Sequence, residues 1–263
     1  MNHLPLYISS RRWSSDMVDS LYEKIALSGV VLGDLFCQRR MFEHADFGLP
    51  NVAQQARAAG LQIIFQTPLY LTSKNYEQSV QLVRYLSEAN LLDGVLLHDI
   101  GLLQRLKSIA GLKLWWDRHS YNRDIVVSEQ LVDFLTENGV SGIEVTRFSD
   151  ADTVINKNSS SLVHIFGPRV ASFGRKCYSE YFSGKVCKSP HVLCASVSLP
   201  VIVSTDGVLA QYTGDGFTLV DQTKPYHQLQ VPQLYQEKER LGLLATISSL
   251  DDLERLQMLI NSK

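Results

Sequence analysis

Residues 60–97 read GLQIIFQTPLYLTSKNYEQSVQLVRYLSEANLLDGVLL, and this stretch decides the fold. The apolar run at 63–65 reads as a buried strand. Residues 76–89 then place Val80, Leu82, Val83 and Leu86 on one helical face. The second apolar run, 94–97, reads as another strand. A strand, an amphipathic crossover and a second strand make a parallel unit, because parallel neighbours need a crossover of about a dozen residues or more.

The same unit recurs on both sides. Toward the C-terminus come a short helix at 102–109, a strand at 112–116 and a helix at 128–138 ended by Gly139. Strands at 143–146 and 162–166 follow. Toward the N-terminus come a helix at 50–59 with Gly60 at its C′ position, and a strand at 30–32. A helix capped at Ser14, Ser15 or Asp16 runs to about residue 27, and the first strand is 4–8. Seven strands before residue 170 favour a closed barrel over an open sheet. No glycine-rich dinucleotide fingerprint follows the first strand. An eighth strand at 243–247 and a helix from 249–252 to 260 complete the count. The expected fold is a single (β/α)8 TIM-like barrel over residues 1–263.

Residues 168–222 break the regularity and are expected as an insertion. They carry a cysteine loop, then hairpin strands at 200–203, 208–212 and 217–220. Asp206-Gly207 and Asp215-Gly216 supply the turns.

The chain's 263 residues suit one such barrel. Its 45% hydrophobic and 20% charged residues exclude a disordered or fibrous chain. Lys and Arg number 25 against 27 Asp and Glu, for a net charge of −2. That balance gives no pull toward nonspecific nucleic-acid binding, so nucleic acid is the less favoured partner. No apolar run reaches about 18 residues, so no membrane span is expected. The opening MNHLPLYISSRRW lacks the basic-then-apolar pattern of a secretory signal. A cytoplasmic location is expected, where structural disulfides are disfavoured.

Active sites of such barrels form at the C-terminal ends of the strands. There the sequence places Asp34, Cys37, Arg39 and Arg40 after strand two, and Gln66 and Thr67 after strand three. His98 and Asp99 follow strand four. Asp117, Arg118, His119, Ser120 and Asn122 follow strand five. Glu144 and Arg147 belong to strand six and its end, His164 to strand seven. His98, Asp117 and His119 are the expected acid–base groups. Asp34, Arg39, Arg40, Asn122, Glu144, Arg147 and His164 are the expected substrate-binding groups. Strand ends meet solvent in any barrel, so the whole ring carries more weight than any one member.

The four cysteines are Cys37, Cys177, Cys187 and Cys194. Thiolates suit iron–sulfur clusters and zinc. The C-x9-C-x6-C spacing matches neither a ferredoxin run nor a zinc ribbon. Spacing alone leaves a cluster, zinc and four reduced buried thiols all open.

GVVLGDLFCQRR (29–40) resembles the early signature of peptidase family U-thirty-two, the collagenase type. HIFGPRVASFGRKCYSEYFSG (164–184) is similar to that family's central motif, with the arginine–cysteine pair interrupted as Arg175, Lys176, Cys177. GLQIIFQTPLYLT (60–72) and the Ser-Tyr-Asn of 120–122 keep the family's order. Size and cysteine layout most resemble the smaller iron–sulfur subunit of the anaerobic ubiquinone-hydroxylation pair. The resemblance implies a 4Fe-4S cluster on Cys37, Cys177, Cys187 and Cys194, although the gaps around Cys187 and Cys194 depart from the family's. It implies oxygen-independent hydroxylation of a small aromatic substrate, foremost a ubiquinone precursor, and a related larger subunit as heterodimeric partner.

Alternatives implied by the same family are a non-catalytic subunit bearing a cluster or zinc, an RNA-pyrimidine hydroxylation factor and a peptidase. No G-x-S-x-G elbow or HExxH helix supports proteolysis, and Cys177 with His98 or His164 would have to serve. Trp13, Trp115 and Trp116 are candidate interface anchors, with the barrel core as their other reading.

Overall fold

Eight parallel strands close on themselves. In a computed structural model they are β1 (Leu6–Ser10), β2 (Gly29–Leu32), β3 (Gln62–Gln66), β4 (Gly94–Leu97), β5 (Lys113–Trp116), β6 (Gly142–Val145), β7 (Ser160–Pro168) and β14 (Leu241–Ile247). Each pairs in parallel with the next, β7 with β14 and β14 with β1. The structure describes residues 4–10, 21, 25–33, 49–68, 71–118, 126–168, 170–173, 184, 202–203, 209–210, 212–215, 218–221, 226–235, 238–247 and 250–261.

Crossover helices follow the strands: α1 (Leu49–Ala58), α2 (Ser73–Glu88), α3 (Ile100–Leu106), α4 (Glu129–Glu137), α5 (Phe148–Asn156) and α6 (Leu250–Asn261). Short polar side chains start three of them. Thr72, Asp99 and Ser128 accept from the backbone N–H of Asn75, Leu102 and Leu131 at 3.3, 2.8 and 3.3 Å. The expected barrel is present, with strand ends moved by one or two residues. The first strand lies at Leu6–Ser10 rather than 4–8. Helix α5 was not expected, because its apolar positions Phe148, Ala151, Val154 and Ile155 are few and interleaved with polar residues. The helix expected over about 14–27 falls largely outside the described residues.

Between β7 and β14 the chain adds antiparallel strands. β9 (Ile202–Val203) pairs with β10 (Leu209–Ala210). β11 (Tyr212–Asp215) pairs with β12 (Thr218–Asp221), and β12 with β8 (Val170–Phe173). β13 (Tyr226–Gln228) returns to pair with the outer end of β7. The stretch expected as three hairpin strands thus holds four, and β8 joins them.

Alternation along the strands separates two cores. One set of residues, including Ile8, Val30, Ile63, Val95, Leu114, Ile143, Val163 and Ala245, packs against helix residues such as Val83, Leu103, Leu135 and Val154. Each fully buried aliphatic side chain there contributes about 1.5–3 kcal/mol. The other set lies inside the barrel: Tyr7, Val31, Ile64, Leu96, Leu162 and Leu244, with Trp115 packed against them. Trp115 stacks over Gly142, where a Cβ would lie 2.3 Å from the indole. Trp115 and Trp116 are partly buried and pack onto the two cores, in line with the core reading. Trp13 lies outside the described residues.

Candidate functional site

The inside of the barrel changes character two residues further along seven of the eight strands, β2 excepted. Ser9 follows Tyr7, Gln66 follows Ile64, and His98 follows Leu96. Asp117 follows Trp115, Glu144 follows Gly142, His164 follows Leu162, and Thr246 follows Leu244. A period of two keeps each pair on one face of its strand. An apolar plug thus supports a polar layer at the C-terminal end of the barrel, where such folds place their chemistry. The layer is buried: Asp117 and Glu144 are fully enclosed, and His164 and His98 are 1% and 5% exposed.

Buried polar groups need partners, and several are on view. Gln66 Nε2 donates to Asp117 Oδ2 at 3.0 Å. The Asp117 backbone N–H donates to the Leu97 carbonyl at 2.7 Å, which fixes the strand end that carries it. The Arg118 backbone N–H donates to Glu144 Oε2 at 3.2 Å. His164 Nε2 and Thr246 Oγ1 lie 3.1 Å apart, joining β7 to β14. The register between these two strands shifts just after His164 and Leu244. Such irregularities recur beside active sites, where they re-aim a side chain.

Two glycines make room for this layer. Gly33, at the end of β2, has φ +118°, and a Cβ there would lie 2.2 Å from the Gln66 carbonyl oxygen. Only glycine fits so close to the neighbouring strand. A Cβ on Gly167 would lie 2.7 Å from Cε1 of His164.

Two arginines stand at the β5 and β6 corner of the rim. Arg118 is half-buried, and burial is the chief cause holding its guanidinium below its ordinary pKa. Asp150 and Glu144 oppose that shift, while Arg147 adds to it. Arg147 Nε donates to Asp150 Oδ2 at 3.3 Å, and Asp150 Oδ1 accepts from the Val127 backbone N–H at 3.2 Å.

Of the expected residues, His98, Asp117, Glu144 and His164 come together in the buried layer, with Arg147 at its rim. His119, Asp34, Arg39, Arg40 and Asn122 lie outside the described residues. So do Cys37, Cys177, Cys187 and Cys194. The sequence places Gln66 at the end of strand three without a role, and it does not single out Ser9 or Thr246. Their signal is the alternation itself, since each stands two places beyond an inward apolar residue. Carboxylates and imidazoles enclosed side by side can hold, take and return protons, and can orient a polar ligand above the plug.

No protein-family profile and no curated protein matches the sequence. Solved structures match in shape. A U32 peptidase superposes over 95% of both chains, with a TM-score of 0.54 and 11% identity. A type I 3-dehydroquinate dehydratase from Clostridium difficile covers 62% of this chain and 75% of its own, with a TM-score of 0.42 and 10% identity. The tryptophan synthase A-subunit from Pyrococcus furiosus covers 62% and 78%, with a TM-score of 0.45 and 12% identity. The chain therefore shares its fold, along nearly its whole length, with a U32 peptidase.

Proposed function

We propose that this chain is an iron–sulfur barrel of the U-thirty-two type, similar to the smaller subunit of the anaerobic ubiquinone-hydroxylation pair. In this reading it supports hydroxylation of a small aromatic substrate, foremost a ubiquinone precursor, without molecular oxygen. It does so in the cytoplasm as the heterodimeric partner of a larger relative.

One arrangement carries the reading. The described chain leaves the barrel toward Cys37 at Gly33, the C-terminal end of β2. It leaves toward Cys177 through β7 and β8, beyond the C-terminal end of β7. Both departures are at the end that holds His98, Asp117, Glu144 and His164. The motifs around Cys37 and Cys177 support the same conclusion, and the whole-length fold likeness supports the barrel alone.

Cys37, Cys177, Cys187 and Cys194 would hold the cluster, because four thiolates are the donor set that a 4Fe-4S cluster takes. A bound cluster would supply one-electron chemistry. The chain's own residues do the rest. The apolar plug excludes water beneath the substrate ring. His98 and His164 hold or accept protons at a substrate hydroxyl, and Asp117 and Glu144 balance the charge that results.

Anaerobic purification of the wild type and of Cys177→Ala tests this. The wild type is expected to show a broad brown iron–sulfur absorbance and the variant to lose it. A variant that keeps the absorbance removes the four-cysteine ligand set. A colourless wild type holding zinc overturns the redox reading. Affinity capture should retain a larger U-thirty-two relative, and capture without one contradicts the heterodimer.

A further inference from the structure

Arg147 stands two residues beyond β6 and opens α5. Its Nε is engaged by Asp150. Its Nη2 is buried and finds no hydrogen-bond acceptor among the described residues, although the side chain as a whole is 40% exposed. Long cationic side chains ordinarily do the reverse, burying the stem and keeping the head group in water. A buried guanidinium nitrogen without an acceptor is costly, and such a group calls for a bound partner.

The surroundings narrow what that partner is. Arg118, at the end of the adjacent strand β5, is the second guanidinium of this corner. The carboxylates beside them, Glu144 and Asp150, each already accept a backbone N–H, from Arg118 and Val127. Among the described residues, two guanidiniums face two carboxylates, so their charges balance. What singles it out is therefore the unsatisfied donor and not an excess of charge. A guanidinium is a planar fork that matches a carboxylate or phosphate with two parallel hydrogen bonds.

We propose that Arg147, with Arg118 beside it, forms an anion-binding subsite at the barrel mouth, and that the aromatic molecule taken there carries a carboxylate or a phosphate. The subsite rests on the reading above only for the aromatic ring. It orients the ring by its anionic group, so that the ring lies over the layer of His98, Asp117 and His164.

Calorimetric titration of the full chain, prepared anaerobically, with benzoate, phenyl phosphate, inorganic phosphate and phenol tests this. At least one aromatic anion is expected to bind about tenfold or more tightly than phenol, a difference that a charged hydrogen-bonded pair readily supplies. Benzoate against phenyl phosphate distinguishes carboxylate from phosphate, and inorganic phosphate reads the anionic group without the ring. Arg147→Gln should erase the preference, and Arg147→Lys should keep part of it while preserving the charge beside Asp150. Equal binding of phenol and both aromatic anions overturns the subsite, as does a preference retained in Arg147→Gln. Should Arg147→Gln fail to fold, the wild-type comparison and Arg147→Lys decide alone. Iron content of the same samples separates the two claims. Anion preference without iron leaves the subsite and removes the cluster, whereas iron without preference does the opposite.

Discussion

Gln66 reaches across β4 to Asp117: its Nε2 donates to Oδ2 at 3.0 Å, joining the ends of β3 and β5 inside the barrel. Both side chains are buried, so the bond fixes the carboxylate by geometry rather than through solvent.

Removing that donor should be costly. Gln66→Leu keeps much of the volume but withdraws one donor from a buried carboxylate, a loss of about 1–3 kcal/mol. The denaturation midpoint should fall with an unchanged slope. Gln66→Glu instead sets two carboxylates about 3 Å apart, which raises one pKa above its unfolded value. The destabilisation of that variant should deepen as pH rises above about 4, where both groups ionise in the unfolded chain. A pH-independent deficit would contradict the contact.

Gly33 and Gly60 form a matched pair. Both have positive φ, +118° and +76°, but a Cβ at Gly60 meets nothing within 4 Å. Gly60→Ala should cost about 1–2 kcal/mol, the backbone penalty alone. Gly33→Ala adds the collision with the Gln66 carbonyl oxygen, so its loss should be clearly larger in thermal unfolding. Equal losses would mean that β2 and β3 are not so closely apposed at the mouth.

Gly167→Ala drives a methyl into the His164 imidazole. Overpacking of this kind costs about 1–3 kcal/mol. The His164 ring resonances should shift in an NMR spectrum as the ring moves from Thr246. Thr246→Val removes the same bond without the clash, so it should shift those resonances with a smaller loss of stability. Unchanged resonances in both variants would refute the contact.

A second cluster links the segment before β14 to α5. Tyr235 Oη donates to Asp152 Oδ2 at 2.5 Å, Lys238 pairs with the other oxygen, and Tyr235 packs against Phe148 with ring centroids 4.7 Å apart. The hydrogen bond to Asp152, then burial, then the carboxylate's charge push the Tyr235 phenol up to about 12. Burial pushes the Asp152 carboxyl up, but the bonds from Lys238 and Tyr235 outweigh it and hold the group below its ordinary value. The phenol's contribution to stability is therefore full below about pH 10 and lost as pH rises from about 10 to about 12. The carboxylate's contribution is present above about pH 4 and lost as pH falls below it. In Asp152→Asn both limbs of the stability profile should flatten, and Tyr235 should ionise nearer to pH 10. Coincident profiles would contradict the linkage.

The barrel was legible because its signal is local. Runs such as 63–65 and 94–97 are apolar on both faces, as strands enclosed by helices require. Helix α5 was missed because four apolar residues among nine give little periodicity beside the run at 142–146. For the site, strand ends marked His98, Asp117, Glu144 and His164, since titratable residues stand out after apolar runs. Ser9, Gln66 and Thr246 are ordinary polar residues by composition. The strand end marks Gln66 as a rim residue without a role, but only the inward parity set by Tyr7 and Leu244 marks Ser9 and Thr246, and that parity depends on which strand face closes the barrel. Arg147 stands among the expected substrate-binding groups by its place after strand six alone. Its unsatisfied nitrogen is a property of packing, which no spacing encodes.

The measurement that bears most directly on the central claim is the iron and acid-labile sulfide content of the anaerobically purified chain. The account predicts about four of each per chain, as a 4Fe-4S cluster requires, both falling sharply when Cys37 or Cys177 is replaced by alanine. A folded chain free of iron and sulfide, with the same spectrum in wild type and variants, would contradict it.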